Sequence, residues 1–142
     1  MLFIASWDKM IRCVDLEINK VVKSFIGSKE AIKCLRIFNN DIFVAGCDPI
    51  IRGFNLQTGD QKMFQGHKSW VYTMEFLGER MLSGGDDRSI IIWDVKSTKV
   101  LETLTGHDNG VTSIALVAGD IYTGSFDHNI ICWDLNDLDE RI

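Results

Sequence analysis

The 142-residue sequence lacks the features that usually divide a chain into several domains. It contains a single proline and no stretch rich in glycine or serine that would act as a linker. We therefore expect one folded domain over residues 1–142. No apolar run is long enough to span a membrane, and the short apolar start lacks the basic residues of a signal peptide.

Cysteine and histidine residues are too scattered to indicate a metal site or a cofactor. The four cysteines include no Cys-x-x-Cys pair, and the three histidines lie in different segments. Without a signal peptide, free thiols are expected, in the reducing environment of the cytoplasm or the nucleus. The net charge of −5 argues against a protein that binds a phosphate backbone.

A repeat of about 40 residues runs through the whole chain. It is anchored by four aspartates at intervals of 40, 39 and 40 residues: Asp8, Asp48, Asp87 and Asp127. Isoleucine follows each aspartate at the third residue, and a bulky apolar residue follows at the sixth. A glycine precedes three of them by 21 residues, at Gly27, Gly66 and Gly106.

The segments within one period predict strands. Residues 89–93 and 129–133 are rich in β-branched and aromatic side chains and are too short to be helices. Turn sequences containing glycine, asparagine or aspartate separate such segments, as at 39–41, 57–60 and 84–87. Each unit therefore holds four short antiparallel strands. Since one unit cannot bury both of its faces, it must stack on its neighbours.

The third and fourth repeats resemble WD repeats. Gly66-His67 followed by Trp93-Asp94, and Gly106-His107 followed by Trp133-Asp134, are similar to the glycine-histidine and tryptophan-aspartate signatures of that family. The first two repeats are degenerate. The resemblance implies an all-β fold of four-stranded antiparallel β-propeller blades around a central channel. It also implies a protein- or peptide-binding scaffold for complex assembly or substrate recruitment.

The chain holds about three and a half such blades. With strands lettered a to d from the innermost outward, it opens in strand b at 2–5 and stops after strand c at 130–135, which gives fourteen strands. A seven-blade ring needs roughly 280 residues. We therefore expect an incomplete ring whose remaining blades come from a longer chain or a second copy. The acidic stretch 134–140 is expected to be an exposed strand end or tail.

Histidine, a hydroxyl residue, aspartate and tryptophan recur in the third and fourth repeats. They could be mistaken for a catalytic triad, but the set occurs twice with the same 20-residue spacing from histidine to aspartate. We therefore expect no catalytic residue and no enzyme. The resemblance identifies the sets as structural tetrads joined by hydrogen bonds: His67, Ser83, Asp87 and Trp93, and then His107, Thr123, Asp127 and Trp133.

The first two repeats lack the tetrad. The replacements are Ser28 for the histidine, Ala5 and Ala45 for the hydroxyl residue, and Val14 and Phe54 for the tryptophan. By residue count, the turn before the aspartate is one residue shorter in these two repeats than in the third and fourth. We expect blades one and two to be held by apolar packing alone, with Asp8 and Asp48 bonding their own turn backbone.

The resemblance places partner binding on the rim that carries the d–a and b–c loops. Residue types enriched in interface hot spots occur there, together with one aspartate, and the candidates are Trp7, Trp70, Tyr72, Asp86 and Phe126. The alternative is that Tyr72 packs within an inner strand and Trp7 covers an edge, since single exposed apolar residues are ordinary.

A second hypothesis is an RNA-associated propeller within a larger nucleic-acid-binding protein. It requires basic residues to converge on one face beside aromatic platforms. The residues concerned are Lys29, Lys33, Arg52, Lys62, Lys68, Arg80 and Arg88.

Overall fold

The computed structural model describes residues 1–134, so the last residue of the predicted final strand and most of the acidic stretch lie outside the described residues. Residues 1–134 form fourteen strands, as predicted, and contain no helix that is long and apolar enough to cross a membrane. The strands are β1 Leu2–Ala5, β2 Met10–Asp15, β3 Lys20–Ile26, β4 Ile32–Phe38, β5 Asp41–Gly46, β6 Asp48–Asn55, β7 Gln61–Gln65, β8 Val71–Leu77, β9 Arg80–Gly85, β10 Ser89–Asp94, β11 Val100–Thr105, β12 Val111–Val117, β13 Asp120–Ser125 and β14 Ile130–Trp133.

The strands pair in sequence order into four antiparallel sheets. Blades two and three are complete four-stranded sheets, β4 to β7 and β8 to β11. Blade one consists of β1 to β3 and blade four of β12 to β14. This arrangement confirms the predicted fold class of antiparallel propeller blades, with the chain entering in strand b and reaching strand c of the fourth blade.

The strand register corrects the alignment of the second repeat. Ser83 pairs with Ile91 across β9 and β10. At the corresponding place in blade two, Val44 pairs with Arg52. The residue that replaces the hydroxyl is therefore Val44, and the prediction of Ala45 was wrong by one position.

The first blade needs the same correction, because Ile4 and not Ala5 pairs with Arg12 in the equivalent place. The turn before the aspartate is therefore not shorter in the degenerate repeats. The residue at the hydroxyl position lies four residues before the aspartate in every blade: Ile4, Val44, Ser83 and Thr123.

Alternate side chains of each sheet pack against the next sheet, and three apolar cores result. One lies between each pair of neighbouring blades. Representative buried members are Ile11, Ile42 and Phe54 for blades one and two, Phe43, Phe64 and Trp93 for blades two and three, and Leu82, Ile92 and Ile121 for blades three and four. Stacking of blades thus buries the faces that a single sheet would leave exposed.

The first strands of successive complete blades lie against one another, so the blades converge at strand a. One end of the blades carries the d–a loops and the b–c turns, and we call it the upper rim. The lower rim carries the a–b and c–d turns. All five partner-binding candidates belong to the upper rim by their place in this topology.

Candidate functional site

In blade three the four predicted tetrad residues form one chain of hydrogen bonds. The indole Nε1 of Trp93 donates to Ser83 Oγ over 2.7 Å, and Ser83 Oγ lies 2.7 Å from His67 Nε2. His67 Nδ1 lies 2.9 Å from Asp87 Oδ2. Because the carboxylate of Asp87 can only accept, Nδ1 is the nitrogen that carries the proton of the neutral imidazole, and Nε2 accepts the hydroxyl hydrogen of Ser83. The imidazole therefore donates its Nδ1 hydrogen to Asp87.

Blade four repeats this geometry. Trp133 Nε1 donates to Thr123 Oγ1 over 2.9 Å, and His107 lies 2.8 Å from both Thr123 Oγ1 and Asp127 Oδ2. Burial raises the pKa of Asp127, but hydrogen bonds from the Asn129 amide and from His107 together have the larger effect and lower the pKa to about 2. The carboxylate is therefore charged throughout the neutral range.

The carboxylate of Asp87 joins the d–a loop to the b–c turn. It accepts the backbone amide of Lys68 and the hydroxyl of Ser89, both over 2.7 Å, in addition to His67. Burial raises the pKa of Asp87, yet these hydrogen bonds lower it more, and the pKa stays well below its usual range. The tetrad thus ties the upper rim to the middle of the blade.

These hydroxyls are placed for structure rather than for nucleophilic attack. Ser83 and Thr123 are fully buried, and both lie within the closed hydrogen-bond chain. A substrate carbonyl has no access to either oxygen in this conformation. Among residues 1–134 no group of three or more histidine, cysteine, aspartate or glutamate side chains could hold a metal ion.

Blade two carries a polar network that the sequence analysis missed. Arg52 donates to Asp48 Oδ2 over 2.7 Å and to Ser28 Oγ over 3.2 Å, and Arg52 is buried. The expectation that this blade is held by apolar packing alone is therefore wrong. Asp48 also accepts the amide of Ile50 over 2.6 Å, so it bonds its own turn as predicted.

Blade one has an exposed form of the same pairing. Arg12 donates to Asp8, and both side chains are partly exposed to solvent. The second carboxylate oxygen of Asp8 accepts the amide of Met10 over 3.1 Å. The prediction of apolar packing alone fails for this blade too.

A signal for this pairing is present in the sequence. In the two degenerate repeats the fourth residue after the aspartate is an arginine, Arg12 or Arg52, whereas the tetrad repeats have isoleucine there, Ile91 or Ile131. The loss of the histidine and the gain of the arginine occur together in blade two. We read this as one polar partner of the aspartate replacing another.

The upper rim gathers aromatic residues around one lysine. The ammonium of Lys33 lies 5.0 Å from the ring centroid of Trp70, 4.9 Å from that of Tyr72 and 5.8 Å from that of Trp7. These distances fall within the range of cation–π attraction. Lys33 therefore links rings contributed by the first blade and by the loop and inner strand of the third.

The two remaining candidates join this cluster through Tyr72. Its hydroxyl donates to Asp86 Oδ1 over 2.9 Å, and Phe126 packs edge-on against its ring with 5.7 Å between centroids. Ser69 donates to the other oxygen of Asp86 over 3.0 Å. Burial and the neighbouring Asp86 carboxylate raise the pKa of Tyr72 to about 12, so the phenol stays a donor.

The cluster is accessible to a partner. The exposed fractions are 73% for Trp7, 45% for Trp70 and 55% for Phe126. Tyr72 is only partly exposed, which agrees in part with the alternative that it packs in an inner strand. We refer to these residues together with Lys33 and Asp86 as the rim cluster. The sequence analysis did not identify Lys33 as the centre of this cluster. Lys33 occupies the position in strand a of blade two that Tyr72 occupies in blade three.

The basic residues required by the RNA hypothesis do not share one face. The topology places Lys62 and Arg80 at the lower rim, whereas four residues lie at the upper rim: Lys29, Lys33, Lys68 and Arg88. Arg52 is buried in the middle of its blade. A nucleic-acid backbone would therefore meet only part of the set.

The sequence matches the family described as "WD domain, G-beta repeat" over residues 59–94 and 98–134. A WD repeat-containing protein of Schizosaccharomyces pombe is 32% identical over 125 residues, which is 80% of this chain and 34% of that protein. Murine apoptotic protease-activating factor 1 is 29% identical over 113 residues, 77% of this chain and 9% of that protein.

Among solved structures, the WD40 β-propeller domain of Doa1 superposes with a TM-score of 0.84 at 27% identity, over 92% of this chain and 45% of that one. The chain spans about a third of the length of its S. pombe relative and less than half of the Doa1 chain. The repeats, the tetrads and these similarities agree, and the chain belongs to the WD-repeat family of β-propellers.

Proposed function

We propose that this chain binds proteins or peptides through the rim cluster and acts as a scaffold in complex assembly or substrate recruitment. Propellers of this family are generally protein-interaction scaffolds. The observation that carries the proposal is the convergence of three exposed aromatic rings, Trp7, Trp70 and Phe126, on one rim. Aromatic side chains of this kind dominate binding energy in interfaces.

The rim cluster also indicates what a partner would present. Within residues 1–134 the ammonium of Lys33 has ring faces around it but no carboxylate at ion-pair distance. Asp86, by contrast, is already held by Tyr72 and Ser69. A peptide carrying a carboxylate between apolar side chains would pair with Lys33 and cover the rings.

Peptide arrays probed with the full chain would test this function. We expect the bound sequences to be enriched in an acidic residue next to an apolar one. Trp70→Ala should weaken binding by about tenfold, the loss typical of one aromatic hot spot. Lys33→Glu should weaken it further by reversing the charge at the centre of the cluster.

Ile37→Ala is the matched control, since Ile37 is an exposed apolar residue at the opposite end of the strand that carries Lys33. It should leave the array pattern unchanged. Equal loss in Ile37→Ala and Trp70→Ala would overturn the proposal. Tight binding of mixed RNA, weakening steeply with salt and insensitive to Trp70→Ala, would favour the RNA function instead.

A further inference from the structure

A cleft opens between blades one and two, away from the rim cluster. It has a volume of about 240 Å³ and lies between strand β3 of blade one and strands β6 and β7 of blade two. Its walls include Phe25, Phe54 and Gln61. A second cleft of about 170 Å³ adjoins it, shares Phe54 and Gln61, and continues towards Gly27 and Lys29.

The cleft occurs where blade two lacks the tryptophan of a complete tetrad. Phe54 holds the place that Trp93 holds one blade on, six residues after the anchor aspartate. Phe25 meets Phe54 edge-on at 5.4 Å, as Phe64 meets Trp93 at 5.7 Å.

The two interfaces differ in how well this pair is covered. Phe64 and Trp93 are both fully buried, whereas Phe25 is partly exposed. An indole has a second ring that a phenyl lacks, and the outer ring of Trp93 packs against Gly66. In blade two the equivalent glycine, Gly27, is covered by Ile11 and Ile32 instead. The open space lies beside Phe25 and Phe54, and its volume of about 240 Å³ is enough for one aromatic side chain.

The margins of the cleft are basic, in a protein whose net charge is −5. Lys23 lies at one end with its ammonium 5.8 Å from the Phe25 ring, and Lys29 lies beside the adjoining cleft. Within residues 1–134 neither lysine has a carboxylate at ion-pair distance. The floor is aromatic and both ends are positive.

We propose that this cleft is a second peptide-binding site, one that takes an aromatic side chain flanked by acidic residues. The aromatic ring would occupy the cleft and pack against Phe25 and Phe54. The acidic neighbours would pair with Lys23 and Lys29. Because both clefts lie between blades one and two, they stay accessible when the outer faces of blades one and four are covered.

Fluorescence anisotropy with labelled peptides and the full chain tests the site. The probe is a short capped peptide with one central tryptophan between glutamates. We expect saturable binding, weakened at least about tenfold when lysines replace the glutamates or alanine replaces the tryptophan, the fold-change of one lost anchor. Salt should weaken it, since the lysines are exposed.

Two variants fill the cleft from the protein side. Phe54→Trp restores the indole of a complete blade, and Gln61→Trp covers the cleft from an exposed position that does not disturb the core. Each should reduce binding at least about tenfold. Since Gln61 is exposed, its variant keeps the test decisive even if Phe54→Trp perturbs the packing.

Val100→Trp is the matched control, because Val100 pairs with Trp93 as Gln61 pairs with Phe54. It should leave binding within about twofold, as should Trp70→Ala in the rim cluster. Unchanged binding in both cleft-filling variants would overturn the proposal, as would equal losses in the two controls. Failure of the rim cluster to bind peptides would leave these outcomes unaffected.

Discussion

A hydroxyl that accepts an indole hydrogen and donates its own to an imidazole has little capacity left for chemistry. Ser83 is in this position, fully buried between Trp93 and His67. The same types of side chain that make a nucleophile and its base thus form a connector when the oxygen is buried and saturated. Their contribution to stability is the free energy that is lost when a buried member of the chain is left without its hydrogen-bond partner.

We expect Asp87→Ala and His67→Ala each to lower the free energy of unfolding by roughly 1–3 kcal/mol, the cost of leaving a buried polar partner unsatisfied. The double variant should lose less than the sum, because both residues act in one network. Urea denaturation at neutral pH measures this. A carboxyl with a depressed folded pKa contributes fully above its unfolded pKa, and loses that contribution only as the pH falls through the folded value.

Asp86→Ala serves as the control for this cycle, since Asp86 is exposed and lies outside the tetrad. It should lower stability by less than either tetrad variant, because the hydrogen bonds that Asp86 accepts from Tyr72 and Ser69 lie at the exposed rim. Fully additive losses in the Asp87 and His67 double variant would contradict a shared network.

At the scale of one blade, the same turn is secured in two ways. In the tetrad blades a histidine from the d–a loop reaches the anchor aspartate, and in blade two Arg52 from strand β6 reaches it instead. The arginine also contacts Ser28 in the d–a loop, so the loop stays tied to the turn. With Arg52 in place of the histidine there is no imidazole Nε2 to be satisfied, and blade two has Val44 and Phe54 where the tetrad blades have the hydroxyl residue and the tryptophan.

We expect Arg52→Ile to destabilise the chain by roughly 1–3 kcal/mol, because it leaves the carboxylate of Asp48 partly buried without its charged partner. Adding Ser28→His should recover part of the loss by supplying the partner that the tetrad blades use. Thermal and urea unfolding of the single and double variants measure both effects.

Arg12→Ile gives the matched comparison in blade one, where the pair is exposed and solvent screens it. Its loss should be clearly smaller than that of Arg52→Ile. Wild-type stability in Arg52→Ile would mean that apolar packing alone holds blade two after all.

The chain as a whole shows which features a single sequence can supply. The 40-residue period predicted β1 at Leu2–Ala5 and the order of every later strand, because hairpins make neighbours in sequence neighbours in the sheet. The two tetrads were predicted because the same four types of residue occur twice at the same spacing. Trp7 and Trp70 meet at Lys33 across blades, by contrast, and their distance depends on the angle between sheets, which repeat spacing does not encode.

The blade two ion pair was missed for a different reason. Ser28, Ala45 and Phe54 were read one position at a time as losses of tetrad residues, and the gain of Arg52, four residues after Asp48, was not weighed with them. Residues four apart on one extended strand lie on the same face, so the arginine reaches the aspartate within strand β6 itself.

Blades one and four each present an outer face that no other described blade covers. Leu2 and Ile4 of blade one are exposed, and Ile130 of blade four is 77% exposed. Apolar surface of this kind normally belongs to an interface, and unpaired blades resemble the open ends of a repeat array. We expect the isolated 142-residue chain to self-associate through these faces.

Sedimentation velocity over a concentration series measures this association. Ile4→Glu combined with Ile130→Glu should shift the distribution towards the monomer, because a buried unpaired carboxylate opposes association. Ile37→Glu, which places the same charge on an exposed residue of blade two, should leave the distribution unchanged. A monomer whose sedimentation does not depend on concentration and which melts cooperatively would contradict the expectation. The three cores between blades would then be enough to hold an open stack, as they are in solenoids.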